Sequence, residues 1–151
     1  MASVFWNAEC ILLIDYLEKG KTITGEYYSN LLTRVDEKIH EKKPGLQKKK
    51  SSFIRTVHPP TKAFWQWCYE LLEHTPYSPD LAPSDFSLFP KLKLFLAGQR
   101  FSSNQEATAA AEGYFTDLTK NRYREGIIAL EHRWNKCISF KGDYVEKVKQ
   151  F

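Results

Sequence analysis

The chain has 151 residues, 42% hydrophobic and 26% charged, a balance that suits one small globular domain and excludes the disordered and fibrous classes. Its longest apolar run, Cys10 to Ile14, stops at Asp15, far short of the ~20 residues that span a bilayer. With no basic segment ahead of that run, neither secretion nor membrane insertion is expected.

The net charge of +4 is spread unevenly. Residues 34–62 hold nine basic side chains (Arg34, Lys38, Lys42, Lys43, Lys48, Lys49, Lys50, Arg55, Lys62) against three acidic ones, and the rest of the chain is net negative. Such a block is the electrostatic footprint of a phosphate-binding face, which makes Lys42, Lys43, Lys48, Lys49, Lys50, Arg55 and Lys62 candidate nucleic-acid contacts. The plainer reading is a solvated lysine loop, since charge runs are poorly specific. Cys10, Cys68 and Cys137 are odd in number and contain no Cys-x-x-Cys pair. They read as reduced, mostly buried thiols of a nuclear or cytosolic protein.

Taken in chain order, Val4 to Trp6, the polar step Asn7-Ala8-Glu9 and Cys10 to Leu17 predict an antiparallel hairpin. From about Thr24, Tyr28, Leu31, Leu32, Val35 and Ile39 recur at spacings of three and four, one face of a helix that Pro44-Gly45 ends. Residues 46–68 form an irregular basic segment that closes on Phe64-Trp65-Gln66-Trp67. Tyr69 to Glu73 predicts a short strand, and Thr75 to Ser84 is a Pro-rich loop.

Ser84 is placed to cap a helix through Ala97, with Phe86, Phe89, Leu92, Phe95 and Leu96 inward and Gly98 as its stop. Pro90 then marks a first turn or a kink. Ser103-x-x-Glu106 is a capping box opening a helix whose stripe is Ala107, Ala110, Ala111, Tyr114, Phe115 and Leu118. A last helix from about Tyr123 puts Ile127, Leu130, Trp134 and Ile138 on one face and ends before Gly142. Strands followed by helices in this order make an α/β arrangement.

Three strings then carry a resemblance: Tyr77-Ser-Pro-Asp-Leu-Ala-Pro-Ser-Asp85-Phe86, Arg100-Phe101, and Arg133-Trp134-Asn-Lys-Cys137. In this order and at these separations they resemble the C-terminal part of the catalytic domain of mariner-type transposases, over residues 4–49 and 69–148. The resemblance implies a single partial RNase H-like domain over residues 1–151 and a nuclear protein that acts on DNA. It also implies two-metal phosphoryl transfer with Mg²⁺ or Mn²⁺. Two such ions, held about 4 Å apart, need several carboxylate oxygens. The family supplies three aspartates, and Asp85 matches the third, as a catalytic residue and metal ligand. Read on its own, Asp85 is an ordinary acid at a helix N-terminus; Asp80 reads as a turn former.

The sequence departs from the family pattern at two places. The family's first aspartate lies on a strand expected ahead of Val4, so the expected fold is a truncated RNase H-like α/β domain whose mixed sheet lacks that central strand. In a sheet ordered 3-2-1-4-5 this separates the hairpin from the later strands, unless Ser51 to Val57 pairs directly with Val4 to Trp6. The second aspartate belongs upstream of the Pro-rich loop, yet no Asp or Glu stands between Glu41 and Glu70. Phe53 to Lys62 stands there instead, and we read residues of about 50–68 as a frameshifted or spliced patch.

Three functions follow as expectations. The first is a transposase-derived fragment without activity. The second is a module binding nucleic acid non-specifically, or binding a partner such as a second copy or an intact transposase, through the 34–62 block. The third is a relic reading frame with no function. His40, His58, His74 and His132 have no metal-ligand spacing, and Trp6 and Trp134 are expected in the core.

Overall fold

The structure, a computed structural model, describes residues 2–44, 52–54, 70–72 and 78–142. Two compact units divide the chain, one of residues 1–6 and 11–74, the other of residues 7–10 and 75–151.

In the first unit β1 (Ala2–Trp6) pairs antiparallel with β2 (Ile11–Tyr16). The pairing runs from Ala2 opposite Tyr16 to Phe5 opposite Leu13, then steps past Leu12, so that Trp6 faces Ile11. That step is a β-bulge, one extra residue in one strand. The connection folds on Asn7, whose side-chain oxygen accepts from the amides of Glu9 (2.9 Å) and Cys10 (3.0 Å), the local bonding that suits asparagine to turns.

Helix α1 (Gly25–Lys42) starts where Thr24 accepts the Tyr27 amide at 3.2 Å. The apolar face read from the sequence is its buried face: Leu31, Leu32, Val35 and Ile39 are buried and pack with Leu12 and Leu13 of β2 in the core of this unit. Two polar ties reinforce the packing. Asp15 accepts from the Tyr27 hydroxyl and from Arg34, and Lys42 donates to the Ile11 carbonyl at 2.8 Å.

A second sheet consists of β3 (Ser52–Ile54) and β4 (Glu70–Leu72), parallel, with Phe53 opposite Leu71. Among the described residues the two sheets share no strand. Ser52–Ile54 does not bridge them: it pairs with β4 rather than with β1. The remainder of the frameshift reading, residues 50, 51 and 55–68, lies outside the described residues, as do His58, Cys68 and His74.

The second unit is helical. A 3₁₀ turn (Pro79–Leu81) and a π-turn (Ser84–Leu88) lead into α2 (Phe89–Ala97), followed by α3 (Asn104–Asp117) and α4 (Lys120–Ser139). Its core is Leu81, Ala82, Leu88, Phe115 and Tyr123. Helix α3 carries the expected stripe and cap: Ser103 accepts the Glu106 amide at 3.2 Å. Glu106 reaches back to the amide and hydroxyl of Ser102 (2.8 and 2.7 Å), one residue ahead of the capping-box partner. Helix α4 begins three residues before Tyr123 and ends in a Schellman motif: Lys141, left-handed at φ +54°, donates to the Ile138 carbonyl (3.1 Å), and Gly142, at φ +90°, to the Cys137 carbonyl (2.9 Å).

Several inward assignments need correction. Phe95 is 42% and Ile138 71% exposed, whereas Leu88 is buried. For Leu88 the reason is the π-turn, which adds a residue to the helical register ahead of α2. Trp6, Trp134, Cys10 and Cys137 are half-buried rather than core.

The candidate site around Asp85

The Pro-rich loop becomes ordered structure through consecutive backbone turns. Leu81 and Ala82 donate to the carbonyls of Ser78 (3.1 Å) and Pro79 (3.2 Å), and the Ala82 carbonyl then takes the amides of both Asp85 (2.9 Å) and Phe86 (3.0 Å). Asp80, in the 3₁₀ turn, is 5% exposed. Asp85 lies in the π-turn with its side chain exposed.

Arg133 of α4 fixes this arrangement from the side. Its guanidinium donates to the Asp80 carbonyl at 3.0 Å and stands over the Phe86 ring at 4.1 Å, a cation–π contact. The two contacts fall on either side of Asp85 in the sequence. Two of the strings that carried the resemblance are therefore one structural unit, with the Arg-Trp string bracing the loop that presents the acid. Arg133 was legible as part of a motif but carried no role there, because nothing in one sequence pairs residues 53 positions apart.

The basic block is only partly described. Lys42 is committed to the Ile11 carbonyl, Lys38 to Glu41 at 2.8 Å and Arg34 to Asp15. Lys43 is the residue capping the end of α1, its amide bonded to the Ile39 carbonyl at 2.8 Å. Lys48, Lys49, Lys50, Arg55 and Lys62 lie outside the described residues, with Phe64, Trp65 and Trp67. His40 is held against the Asp36 carbonyl at 2.6 Å, and His132 is exposed.

The family described as Transposase (partial DDE domain) matches residues 1–49. Across 97% of this chain, the Mariner Mos1 transposase of Drosophila mauritiana is 30% identical and the human histone-lysine N-methyltransferase SETMAR 29% identical. The solved structure of the Mos1 transposase catalytic domain with raltegravir and Mn superposes with a TM-score of 0.87 at 30% identity, over 93% of this chain and 74% of that one. The chain belongs to the mariner transposase family. Its fold is the RNase H-like α/β fold of the mariner catalytic domain. It spans 45% of the Mos1 transposase and 22% of SETMAR.

Mos1 transposase has been solved with Mg and with Mn, and as paired-end complexes. The mariner family thus uses divalent metal. The residues described here do not form a donor set for such a centre: among them, no three of His, Cys, Asp and Glu come together. A hard divalent cation takes six or more oxygen ligands, several of them carboxylate in a two-metal site, and Asp85 is a single exposed carboxylate. No helix among the described residues is long and apolar enough to cross a membrane.

Proposed function

We propose that this chain is a mariner transposase catalytic-domain region that keeps the family's fold and its Asp85 turn but does not cleave DNA. One observation carries this reading: no Asp or Glu stands between Glu41 and Glu70, the stretch in which the family pattern places its second metal-binding aspartate. Loss of one member of a catalytic set commonly costs several orders of magnitude in rate, and a two-metal clamp depends on shared carboxylates. The test is a nicking assay on supercoiled DNA with Mg²⁺ or Mn²⁺, run beside Asp85→Ala. The expected result is no nicking above background for either chain; metal-dependent nicking that Asp85→Ala abolishes would overturn the proposal.

The concentration of charge in residues 34–62 supports a second reading, in which the chain binds DNA through phosphate contacts without reading sequence. It would act in the nucleus, alone, as a homodimer or with an intact transposase. Non-cleaving and DNA-binding are compatible properties of one chain.

A further inference from the structure

We propose that Pro90 is a positioning residue for Asp85, acting through the helical register rather than by contact. In an α-helix the ring of a proline at position 90 would collide with the carbonyl of Phe86, four residues back, and proline offers no amide for that carbonyl. The chain avoids the collision. Residues 84–88 run as a π-turn, in which the Phe89 amide reaches five residues back to the Ser84 carbonyl, and α2 then starts at Phe89 with Pro90 in its first turn.

A π-turn accommodates one residue more than the α-helical register. Relative to α2, each residue ahead of it is therefore turned by about 100°, the angle of one residue in 3.6 per turn. Asp85 lies inside this turn and is exposed, while Leu88, three residues on, is buried. The proline ring thus selects the direction in which the Asp85 carboxylate leaves the backbone. Arg133 braces the result from α4 through the Asp80 carbonyl and the Phe86 ring. The register comes from the ring, and the brace holds the turn it has produced.

That Asp85 is the acid worth positioning rests on the family reading above. The register itself is read from backbone hydrogen bonds without any cleavage assay, so the two can fail separately.

The experiment measures NMR couplings through hydrogen bonds in the full chain, comparing wild type with Pro90→Ala and Arg133→Ala. In wild type and Arg133→Ala the Phe89 amide couples to the Ser84 carbonyl. In Pro90→Ala that coupling is lost, Phe89 couples to Asp85, and the new amide at position 90 couples to Phe86. Persistence of the Phe89–Ser84 coupling in Pro90→Ala overturns the proposal. Its loss in Arg133→Ala also overturns it, because the brace would then set the register; this second variant keeps the ring and keeps the proposal open to refutation should Pro90→Ala not fold. General loosening of the loop would broaden signals, whereas a change of acceptor reports register.

Discussion

Tyr123 is 2% exposed and donates its hydroxyl to the Phe115 carbonyl at 2.7 Å, tying α4 to the end of α3. Burial, followed by the electrostatic influence of Cys10 and Tyr114, pushes its ionisation up to about 12, against about 10 for an unfolded tyrosine. The fold holds the neutral phenol. Its stabilising contribution is therefore complete below pH 10 and disappears as pH rises towards 12. Tyr123→Phe removes the donor from the Phe115 carbonyl and should cost about 1 kcal/mol at neutral pH. Urea midpoints collected from pH 8 to 12 check both effects: wild type should lose stability across the upper two units, and the variant should start lower and fall less. Parallel curves would mean that another group controls the alkaline limb. The sequence displays Tyr123 only as the first residue of a helical stripe. Its burial depends on contacts from α3, which is why a one-dimensional pattern underrates it.

At the scale of elements, the joint between β2 and α1 rests on Asp15, which accepts from Tyr27 and Arg34. Burial alone would raise the Asp15 carboxyl, but these two hydrogen bonds and the Arg34 charge outweigh it together and leave the group below its ordinary value. A carboxylate depressed in the folded state stabilises above its unfolded pKa, about 4, and loses that contribution as pH falls through the lower folded value. Asp15→Asn should lower the urea midpoint at pH 7 and flatten the acid limb below pH 4. An acid limb as steep as that of wild type would exclude Asp15 as its source. The hairpin, α1 and the α3 cap were legible in the sequence because each follows from local chemistry: alternation, a 3.6-residue stripe, and Ser103 with Glu106. The start of α2 was not. Ser84 has the composition of a cap, but Pro90 beyond it changes the register and leaves Ser84 inside the π-turn rather than at its N-cap, which is Pro83. Leu88 is consequently buried, while Phe95, expected inward, is 42% exposed.

For the whole molecule, family membership was legible from three short strings, and the superposition over 93% of the chain agrees with it. The basic block was legible only as charge, because a net charge does not reveal which cations the fold already uses. Arg34, Lys38 and Lys42 bond within the first unit, so their contribution to a DNA surface is reduced before any DNA arrives. On the DNA-binding reading, affinity arises from released counterions, and each phosphate neutralised adds about 0.9 to the slope of log K against log salt for duplex DNA. Replacing Lys48, Lys49 and Lys50 together by alanine should therefore lower that slope by roughly three while leaving the urea midpoint unchanged. Lys42→Ala should do the reverse, lowering the midpoint through the lost bond to Ile11 and leaving the slope nearly intact. Fluorescence anisotropy with a random-sequence duplex, titrated from 50 to about 200 mM salt, measures the slopes. If the triple variant keeps the wild-type slope, the lysines are a solvated loop and phosphate contact lies elsewhere. If Lys42→Ala lowers the slope as much as one of the three, its ammonium leaves the Ile11 carbonyl for DNA, and the hairpin and α1 then loosen when DNA binds.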